Sequence, residues 1–239
     1  MASANRFPSA WEVLGKCIPE DHCRQVGNQY YLDSILKPGD VFLDHGCGAG
    51  KLKSRLEATH PGVSYHGVDI ASSPEVAQRE EHLKDLSCFH ETDGTTLPFP
   101  ENSFDMVNSN NVFEHVRHPE AVIREIHRIL KPGGGLVASF AYLYPFHSFS
   151  LFNFTPYGWF TLLTDNGFNV RELRPGIDGI ASILRGYHGG GERFGKWFQA
   201  SPFHGVIERQ ARKKGLTVKE INMRKVMNAG VLVSYATKE

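Results

Sequence analysis

The clearest pattern of hydrophobic and polar positions in this chain lies near its first glycine cluster. A short apolar run, Val41–Leu43, ends in the carboxylate of Asp44, and the glycine-rich segment Gly46–Gly50 follows at once. The next segment, Lys51–Thr59, has a composition that can form a helix. A buried strand, a tight turn and a helix in this order are typical of the first unit of an open α/β sheet. Glycines allow such a turn to approach a ligand closely because they lack a Cβ atom.

Similar strand and helix patterns continue along the chain. Apolar residues recur at helical spacing after Pro119, and the segment Lys131–Gly134 is expected to end that helix. A second helix is predicted from its N-cap Thr155 to about Asn166. Six further strands are predicted at about 63–69, 88–91, 104–110, 136–140, 168–173 and 230–237. We therefore predict an α/β fold with a Rossmann-like, seven-stranded, mostly parallel sheet and helices on both faces.

The two ends of the chain depart from this alternation. Residues 1–39 are expected to form a helical lead-in that includes a helix over Val26–Leu36. Within it, Tyr30 and Tyr31 either cover a ligand pocket or pack in the core. The segment from about residue 176 to residue 215 is too long for a hairpin turn, so we predict an insertion there. A length of 239 residues fits a single domain over 1–239 with one such insertion.

Composition argues against several classes of protein. The formal net charge is +0, so no overall field favours nucleic acid or a membrane surface. No apolar run reaches the length of about 18 residues that a transmembrane helix needs, and residues 1–8 lack the apolar core of a signal peptide. The four cysteines show no C-x-x-C spacing, which argues against a zinc site or a disulfide framework. We expect reduced thiols and a cytoplasmic location.

The glycine spacing and a later carboxylate indicate the kind of ligand. The turn reads G-x-G-x-G from Gly46 to Gly50, which differs from the G-x-G-x-x-G fingerprint of dinucleotide sites. Asp69 follows the turn by about 20 residues and ends a predicted strand, where a carboxylate can accept hydrogen bonds from two ribose hydroxyls. The alternative is that Asp69 caps a helix that begins near Pro74.

Four further motifs lie between residues 97 and 134 in a fixed order. They read L-P-F from Leu97, S-F-D from Ser103, E-H-V from Glu114 and L-K-P-G-G from Leu130. Together with the glycine turn, they resemble the small-molecule branch of the class I S-adenosylmethionine-dependent methyltransferases. The resemblance covers about residues 41–140. It implies that the last strand of the sheet is antiparallel, that residues 40–140 bind S-adenosylmethionine, and that residues 141–239 form the substrate side.

The resemblance also implies a set of cofactor-binding residues. In this family, an aspartate at the position of Asp93 faces the exocyclic amine of adenine, and Gly94 would allow close approach. The alternative is that Asp93 only caps a turn. His45, beside the glycine turn, is expected to help shape it. The implied cofactor-binding residues are Asp44, Gly46, Cys47, Gly48, Asp69, Ile70, Asp93, Gly94 and Asn110.

An aromatic stretch from Phe140 to Phe160 contains ten aromatic residues and His147. These rings either cover an acceptor molecule or pack in the core. A hydroxyl acceptor must lose a proton, and a histidine suits that task because its pKa lies near neutrality. His147 is our first candidate for the base, and His115 in the E-H-V motif is the second. We expect no metal, because asparagines stand at 110 and 111 where catechol-type enzymes need carboxylates.

The predicted reaction is O-methylation of a small molecule, such as a sugar or a natural-product hydroxyl. N- or C-methylation stays open, although the chain lacks the Pro-Pro-aromatic motif of enzymes that methylate amino groups of bases or of glutamine. An RNA-modifying enzyme is a second alternative, because seven basic residues lie between Arg185 and Gly215. A third is a cofactor-binding scaffold without catalysis. The expected partner is a small-molecule acceptor, without nucleic acid or membrane, and the oligomeric state is left open.

Overall fold

The glycine turn lies near the centre of a seven-stranded sheet, as seen in a computed structural model that describes residues 9–79 and 87–239. The strands are β1 (Val41–His45), β2 (Ser64–Ile70), β3 (Phe89–Thr92), β4 (Phe104–Asn110), β5 (Leu130–Ala141), β6 (Phe168–Pro175) and β7 (Val231–Lys238). Their spatial order is β3-β2-β1-β4-β5-β7-β6. The first five strands pair in parallel, and β7 is antiparallel to both β5 and β6. The predicted fold class is confirmed, including the antiparallel last strand.

Eight α-helices accompany the sheet within the described residues. They are α1 (Ala10–Leu14), α2 (Asn28–Ile35), α3 (Lys51–Thr59), α4 (Pro119–Ile129), α5 (Pro156–Thr164), α6 (Gly179–Tyr187), α7 (Pro202–Lys213) and α8 (Val218–Val226). The predicted cap of α5 is confirmed, because the Thr155 hydroxyl accepts a hydrogen bond from the backbone N–H of Gly158 at 3.0 Å. No helix over residues 9–79 and 87–239 combines the length and apolar character that a membrane crossing requires.

Alternate side chains of the central strands serve two hydrophobic cores. Phe42 packs with Leu32 of α2 and Leu56 of α3 in one cluster. Leu43, the next residue of β1, belongs to a second cluster with Ile123 of α4 and Trp159 of α5. Successive side chains of a strand point to opposite faces, so helices cover both faces and leave the strand ends as the accessible edge.

One predicted boundary is wrong. The segment Lys131–Gly134 does not separate α4 from β5, because β5 begins at Leu130, directly after the helix. Leu130 pairs with Phe104, and the register then shifts before Gly135 pairs with Met106. The physical reason is the pairing of Leu130 with the neighbouring strand β4. Lys131 Nζ adds a contact to the same strand by donating to both carboxylate oxygens of Asp105, at 2.7 and 2.8 Å.

The lead-in and the long β6–β7 connection contact each other. Ser201 of the connection donates to the side chain of Gln25 at 2.9 Å, and Arg174 at the end of β6 pairs with Asp21. The connection holds α6, a 3₁₀ helix over Glu192–Phe198, α7 and α8. In the lead-in, Tyr31 packs in the core against Tyr235 rather than over the glycine turn. A 3₁₀ turn forms at Val76–Gln78, where a helix is predicted from about Pro74. The remainder of that prediction falls on residues 80–86, outside the described part of the chain.

Candidate active site

The glycine turn lies where the strand order reverses, between β1 and β4. Ligands of open α/β sheets bind at such a point, outside the carboxyl ends of the strands. Gly46 and Gly48 adopt the left-handed region, with φ values of 73° and 47°. A Cβ atom on Gly46 would lie 2.3 Å from Cγ2 of Val112, in the connection after β4. Glycine is therefore required here both by conformation and by the close approach of the two loops.

Asp69, at the end of β2, contacts the glycine turn directly. Its Oδ2 accepts a hydrogen bond from the Gly48 N–H at 2.7 Å, and its Oδ1 accepts one from the Ile70 N–H at 2.8 Å. Partial burial raises the pKa of this carboxyl, while the two N–H donors oppose the shift. The carboxylate thus holds the loop conformation and still has lone pairs for a ligand, since each oxygen can accept more than one bond.

The other predicted carboxylate of the turn, Asp44, points into the protein. Its Oδ2 accepts from the Tyr65 hydroxyl at 3.0 Å, and its Oδ1 accepts from Asn108 Nδ2 at 2.9 Å. Burial raises the pKa of Asp44 to about 6. Asn28, at the start of α2, donates to Asn108 at 2.7 Å, and the buried Oδ1 of Asn28 has no hydrogen-bond partner among the described residues. Sequence reasoning missed Asn28, Tyr65 and Asn108, because no spacing links them.

Cys47 lies inside the turn with its thiol buried, and burial raises the pKa of that thiol to about 12. A Cβ on Gly67 of β2 would lie 2.9 Å from the Cys47 sulfur, so the side chain packs against the neighbouring strand. Arg79 Nη2 donates to the Gly48 carbonyl at 2.8 Å. Cys47 can therefore contribute its backbone to a ligand, whereas its side chain serves packing.

The loop after β3 borders the same edge. A Cβ on Gly94 would lie 3.4 Å from Cγ2 of Ile70, so these two predicted residues are neighbours. Asp93 is exposed, and its Oδ1 accepts from the backbone N–H groups of Thr95 and Thr96 at 2.8 and 2.6 Å. These bonds hold the pKa of Asp93 below its usual range. Asp93 therefore caps its turn, while its Oδ2 takes no part in these bonds.

The connection after β4 supplies the remaining predicted residues. Asn110 is exposed at the end of β4, and its side-chain oxygen accepts a hydrogen bond from the Ser139 hydroxyl at 2.7 Å. Further along, His115 lies beside His147, and their ring centroids are 5.3 Å apart with near-perpendicular planes. The structure thus brings together both candidate bases, although they come from different loops.

A buried glutamate, Glu114, lies close to the two histidines. Glu114 is only 1% exposed, and its Oε2 has no hydrogen-bond partner among the described residues. Burial raises the pKa of this carboxyl to about 7. The backbone carbonyl of Glu114 accepts from the N–H groups of Leu151 and Phe152, at 2.6 and 3.2 Å, which fastens the aromatic stretch to this loop. The E-H-V motif contained Glu114, but nothing in the pattern showed that its carboxylate lies with the histidines.

The histidine pair also lies beside the glycine turn. The loop that carries Glu114 and His115 lies against this turn, because a Cβ on Gly46 would lie 2.3 Å from Cγ2 of Val112, three residues before His115. Burial lowers the pKa of His115. The ring of His45, at the end of β1, lies near that of Phe113, the residue before Glu114, with centroids 5.7 Å apart and planes tilted by 35°. The turn, the carboxylates and the histidines therefore form one continuous site at the β1–β4 edge.

The aromatic stretch divides into an inner and an outer part. Phe140 and Trp159 stack with centroids 4.4 Å apart in the core, and Trp159 Nε1 donates to Ser234 at 2.9 Å. In contrast, Phe146 is 83% exposed and Phe149 is 75% exposed. Core packing therefore explains the inner rings, and only the outer rings are free to contact an acceptor.

Residues 43–138, from β1 into β5, match the family model described as a methyltransferase domain. This match supports membership of the class I S-adenosylmethionine-dependent methyltransferase superfamily. S-adenosylmethionine is the cofactor of this superfamily, as the motifs predicted. Two features of the site fit that cofactor. The glycine turn has no side chain at Gly46 to keep a ligand away, and Asp69 has lone pairs available for hydrogen bonds.

This methyltransferase domain is similar to proteins with several different acceptors. It is 35% identical over 165 residues to a demethylmenaquinone methyltransferase of Symbiobacterium thermophilum, covering 66% of this chain and 64% of the relative. It is 30% identical over 152 residues to a 27-O-demethylrifamycin SV methyltransferase of Amycolatopsis mediterranei, covering 62% and 51%. The chain thus spans less than two thirds of the length of either relative.

The fold of the methyltransferase domain is also found in solved structures. One is phosphoethanolamine N-methyltransferase 2 of Haemonchus contortus in complex with S-adenosyl-L-methionine. The two match with a TM-score of 0.57 and 20% sequence identity, over 88% of this chain and 52% of the other. At this identity the likeness establishes the fold, and the acceptor has to be argued from the site itself.

Proposed function

We propose that this chain transfers a methyl group from S-adenosylmethionine to a hydroxyl group of an apolar small molecule. The observation that carries the proposal is the group of apolar side chains exposed beside His147. Exposed apolar patches of this kind commonly mark sites that bind a ligand or a partner. The name of the Amycolatopsis relative, which specifies an O-demethyl substrate, supports the choice of a hydroxyl acceptor.

The outer aromatic rings continue onto helix α6, and we call the combined area the acceptor surface. A Cβ on Gly179 would lie 2.8 Å from the Leu143 Cβ, so α6 packs against the start of the aromatic stretch. The exposed side chains of the acceptor surface are Leu143, Phe146, Phe149, Phe152, Ile183 and Tyr187. Aromatic and aliphatic groups dominate this area, which favours an apolar natural product over a sugar.

On the cofactor side, the proposal assigns the backbone of Gly46–Gly48 and the carboxylate of Asp69 to binding. Residues 40–140 would hold the cofactor, and residues 141–239 would contribute the acceptor surface. When bound, S-adenosylmethionine supplies a methyl group on a sulfonium that is already a good leaving group. The chain's own task is therefore to hold the acceptor oxygen in line and to exclude water.

The acceptor hydroxyl must also lose its proton, and the hydrogen bonds of His147 prepare one nitrogen for it. His147 Nδ1 lies 3.1 Å from the Pro145 carbonyl, which can only accept. Nδ1 therefore carries the hydrogen, and Nε2 holds a free lone pair. In the proposal, Nε2 takes the hydroxyl proton as the oxygen forms its bond to the methyl carbon. His115, beside it, is the second candidate.

The experiment measures transfer of an isotopically labelled methyl group to a panel of acceptors by mass spectrometry. The panel contains apolar phenols and polyketide alcohols, monosaccharides, primary amines and an RNA oligonucleotide. We expect label on an apolar hydroxyl. His147→Ala should lower the turnover by about 10²–10⁴-fold, the usual scale for general base catalysis. His118→Ala is the matched control, because His118 is exposed at the start of α4.

Other outcomes would refute the proposal in distinct ways. Label found only on an amine or a carbon atom would favour the N- or C-methylation alternative. Label on RNA, with binding that weakens as salt rises, would favour contact through the basic residues of 185–215. Cofactor binding without any product would indicate a scaffold. A cytoplasmic location is part of the proposal, and the four free cysteines support it.

A further inference from the structure

We propose that Glu114, His115 and His147 together bind one divalent transition-metal ion, with Zn²⁺ as the preferred occupant. One ligand atom from each of these residues lies within 4.8 Å of the other two. Ligand atoms around a tetrahedral zinc ion are separated by roughly 3.4 Å, as bond lengths near 2.1 Å require. Side-chain movements of about an ångström would therefore bring this group into a binding geometry.

The buried carboxylate is the observation that points to a ligand. Glu114 is 1% exposed, yet its Oε2 has no hydrogen-bond partner among the described residues. An unpaired buried carboxylate oxygen is costly, and coordination of a cation is one of the few ways to compensate for it. Since the two neighbouring groups are imidazoles, the carboxylate lies among ligands that a metal ion can share.

The hydrogen bonds around the histidines match those of metal-binding imidazoles. A metal-binding histidine usually donates its second N–H to a carbonyl or a carboxylate, which fixes the ring and the tautomer. His147 Nδ1 makes this kind of bond to the Pro145 carbonyl at 3.1 Å. Its ring is also held edge to face against Tyr144 at 5.0 Å. His147 Nε2 takes no part in this bond and is therefore available as a ligand atom.

The set of ligands selects the class of metal. Two imidazole nitrogens and one carboxylate oxygen suit Zn²⁺ and other first-row transition metals, whereas Mg²⁺ and Ca²⁺ prefer oxygen ligands alone. Three protein ligands leave at least one coordination position open, as in catalytic zinc sites. The sequence could not predict this site, because His147 comes from the aromatic stretch and Glu114 and His115 come from the connection after β4.

An ion at this position would have a consequence for the proposed reaction. An acceptor hydroxyl in the open position would have its pKa lowered by the ion, so the ion would take over the task assigned above to His147 Nε2. This consequence rests on the proposed function, whereas binding of the ion does not. The two ideas can therefore be tested separately on one preparation.

The test titrates the tag-free, chelator-treated full chain with ZnCl₂ alone, followed by calorimetry. We expect one ion per chain. Glu114→Gln and His147→Ala should each weaken binding by at least about 10–100-fold, which is the usual loss when even an outer partner of a metal ligand is removed. The visible absorption bands of the Co²⁺-loaded protein give a second readout of coordination geometry, and they should disappear in both variants.

His90→Ala is the matched control. His66 and His90 form the other close imidazole pair that the described residues contain, with Nδ1 of one 3.3 Å from Nε2 of the other. This variant should bind Zn²⁺ like the natural chain. Equal affinity in all variants, loss of binding in His90→Ala, or no stoichiometric binding by the natural chain would overturn the proposal. Circular dichroism checks that each variant folds.

The same preparations separate the metal site from the proposed function. Titration with S-adenosylhomocysteine should give the same affinity with and without Zn²⁺, because the glycine turn holds the cofactor. Methyl transfer that is unaffected by the chelator, in a chain that binds no Zn²⁺, would overturn the metal site alone. Zn²⁺ binding in a chain that methylates no hydroxyl would overturn the proposed function alone.

Discussion

Replacement of Asp69 by alanine tests the cofactor site most directly. The carboxylate accepts bonds from Gly48 N–H at 2.7 Å and from Ile70 N–H at 2.8 Å, so its position is fixed before any ligand binds. A side chain held in this way loses little conformational freedom on binding. Asp69→Ala removes the acceptors of the ribose hydroxyls and also one bond that holds the glycine turn.

The expected loss follows from the number and kind of these bonds. Hydrogen bonds to a charged group contribute about 1.5–3 kcal/mol, so the affinity for S-adenosylhomocysteine should fall roughly 10–150-fold. Release of the Gly48 N–H would move the result toward the upper end of that range. The folded state should persist, because Asp69 lies at the accessible end of β2 rather than in either hydrophobic core.

Calorimetric titration with S-adenosylhomocysteine measures this loss, and thermal unfolding checks the fold. Glu91→Ala is the matched control, because Glu91 is an exposed acid that pairs with Asp69 across β2 and β3. The control should keep full affinity. An unchanged affinity in folded Asp69→Ala would remove this residue from the site. An equal loss of affinity in both variants would show that the negative charge of the carboxylates promotes cofactor binding, rather than specific hydrogen bonds from Asp69.

Two further predictions concern the strand β1 and its turn. Gly48→Val should abolish binding of S-adenosylhomocysteine while the circular dichroism spectrum stays that of an α/β protein. The reason is that φ of Gly48 is 47° and a Cβ there would lie 2.9 Å from the Glu75 Cβ. Normal heats of binding in a calorimetric titration would contradict this prediction. Burial lowers the pKa of His45 to about 4. The unfolded histidine titrates near 6.5, so this residue should cost the folded state roughly 3 kcal/mol as the pH falls from 6.5 to 4. Urea unfolding across this range should therefore show a smaller loss of unfolding free energy with acid for His45→Gln than for the natural chain. Asp44, whose pKa is raised, opposes this loss equally in both proteins. Parallel curves of unfolding free energy against pH would refute the shift.

Much of the cofactor side could be predicted from the sequence because its signals are local. The strand Val41–His45, the glycines at positive φ and the helix Lys51–Thr59 lie within 20 residues of one another, and the structure has them where the pattern placed them. Backbone conformation is dictated by neighbouring residues, so a glycine spacing or a cap can be recognised without knowledge of the fold. The position of Asp69 at the end of β2 could be predicted in the same way, because it follows the glycine turn by about the length of one β–α–β unit.

Contacts between distant segments were decided only by the tertiary structure. The bonds of Asp44 to Tyr65 and Asn108 join segments that no periodicity connects. The same is true of Glu114 and His147, which have ligand atoms within 4.8 Å of each other. The start of β5 at Leu130 depends on its pairing with Phe104 of the neighbouring strand β4. The same holds for the acceptor surface. The sequence could not distinguish buried from exposed members among its ten aromatic residues, whereas the packing shows Trp159 buried and Phe146 exposed. The identity of a side chain determines which bonds it can make, but the chain must fold before its partners are within reach.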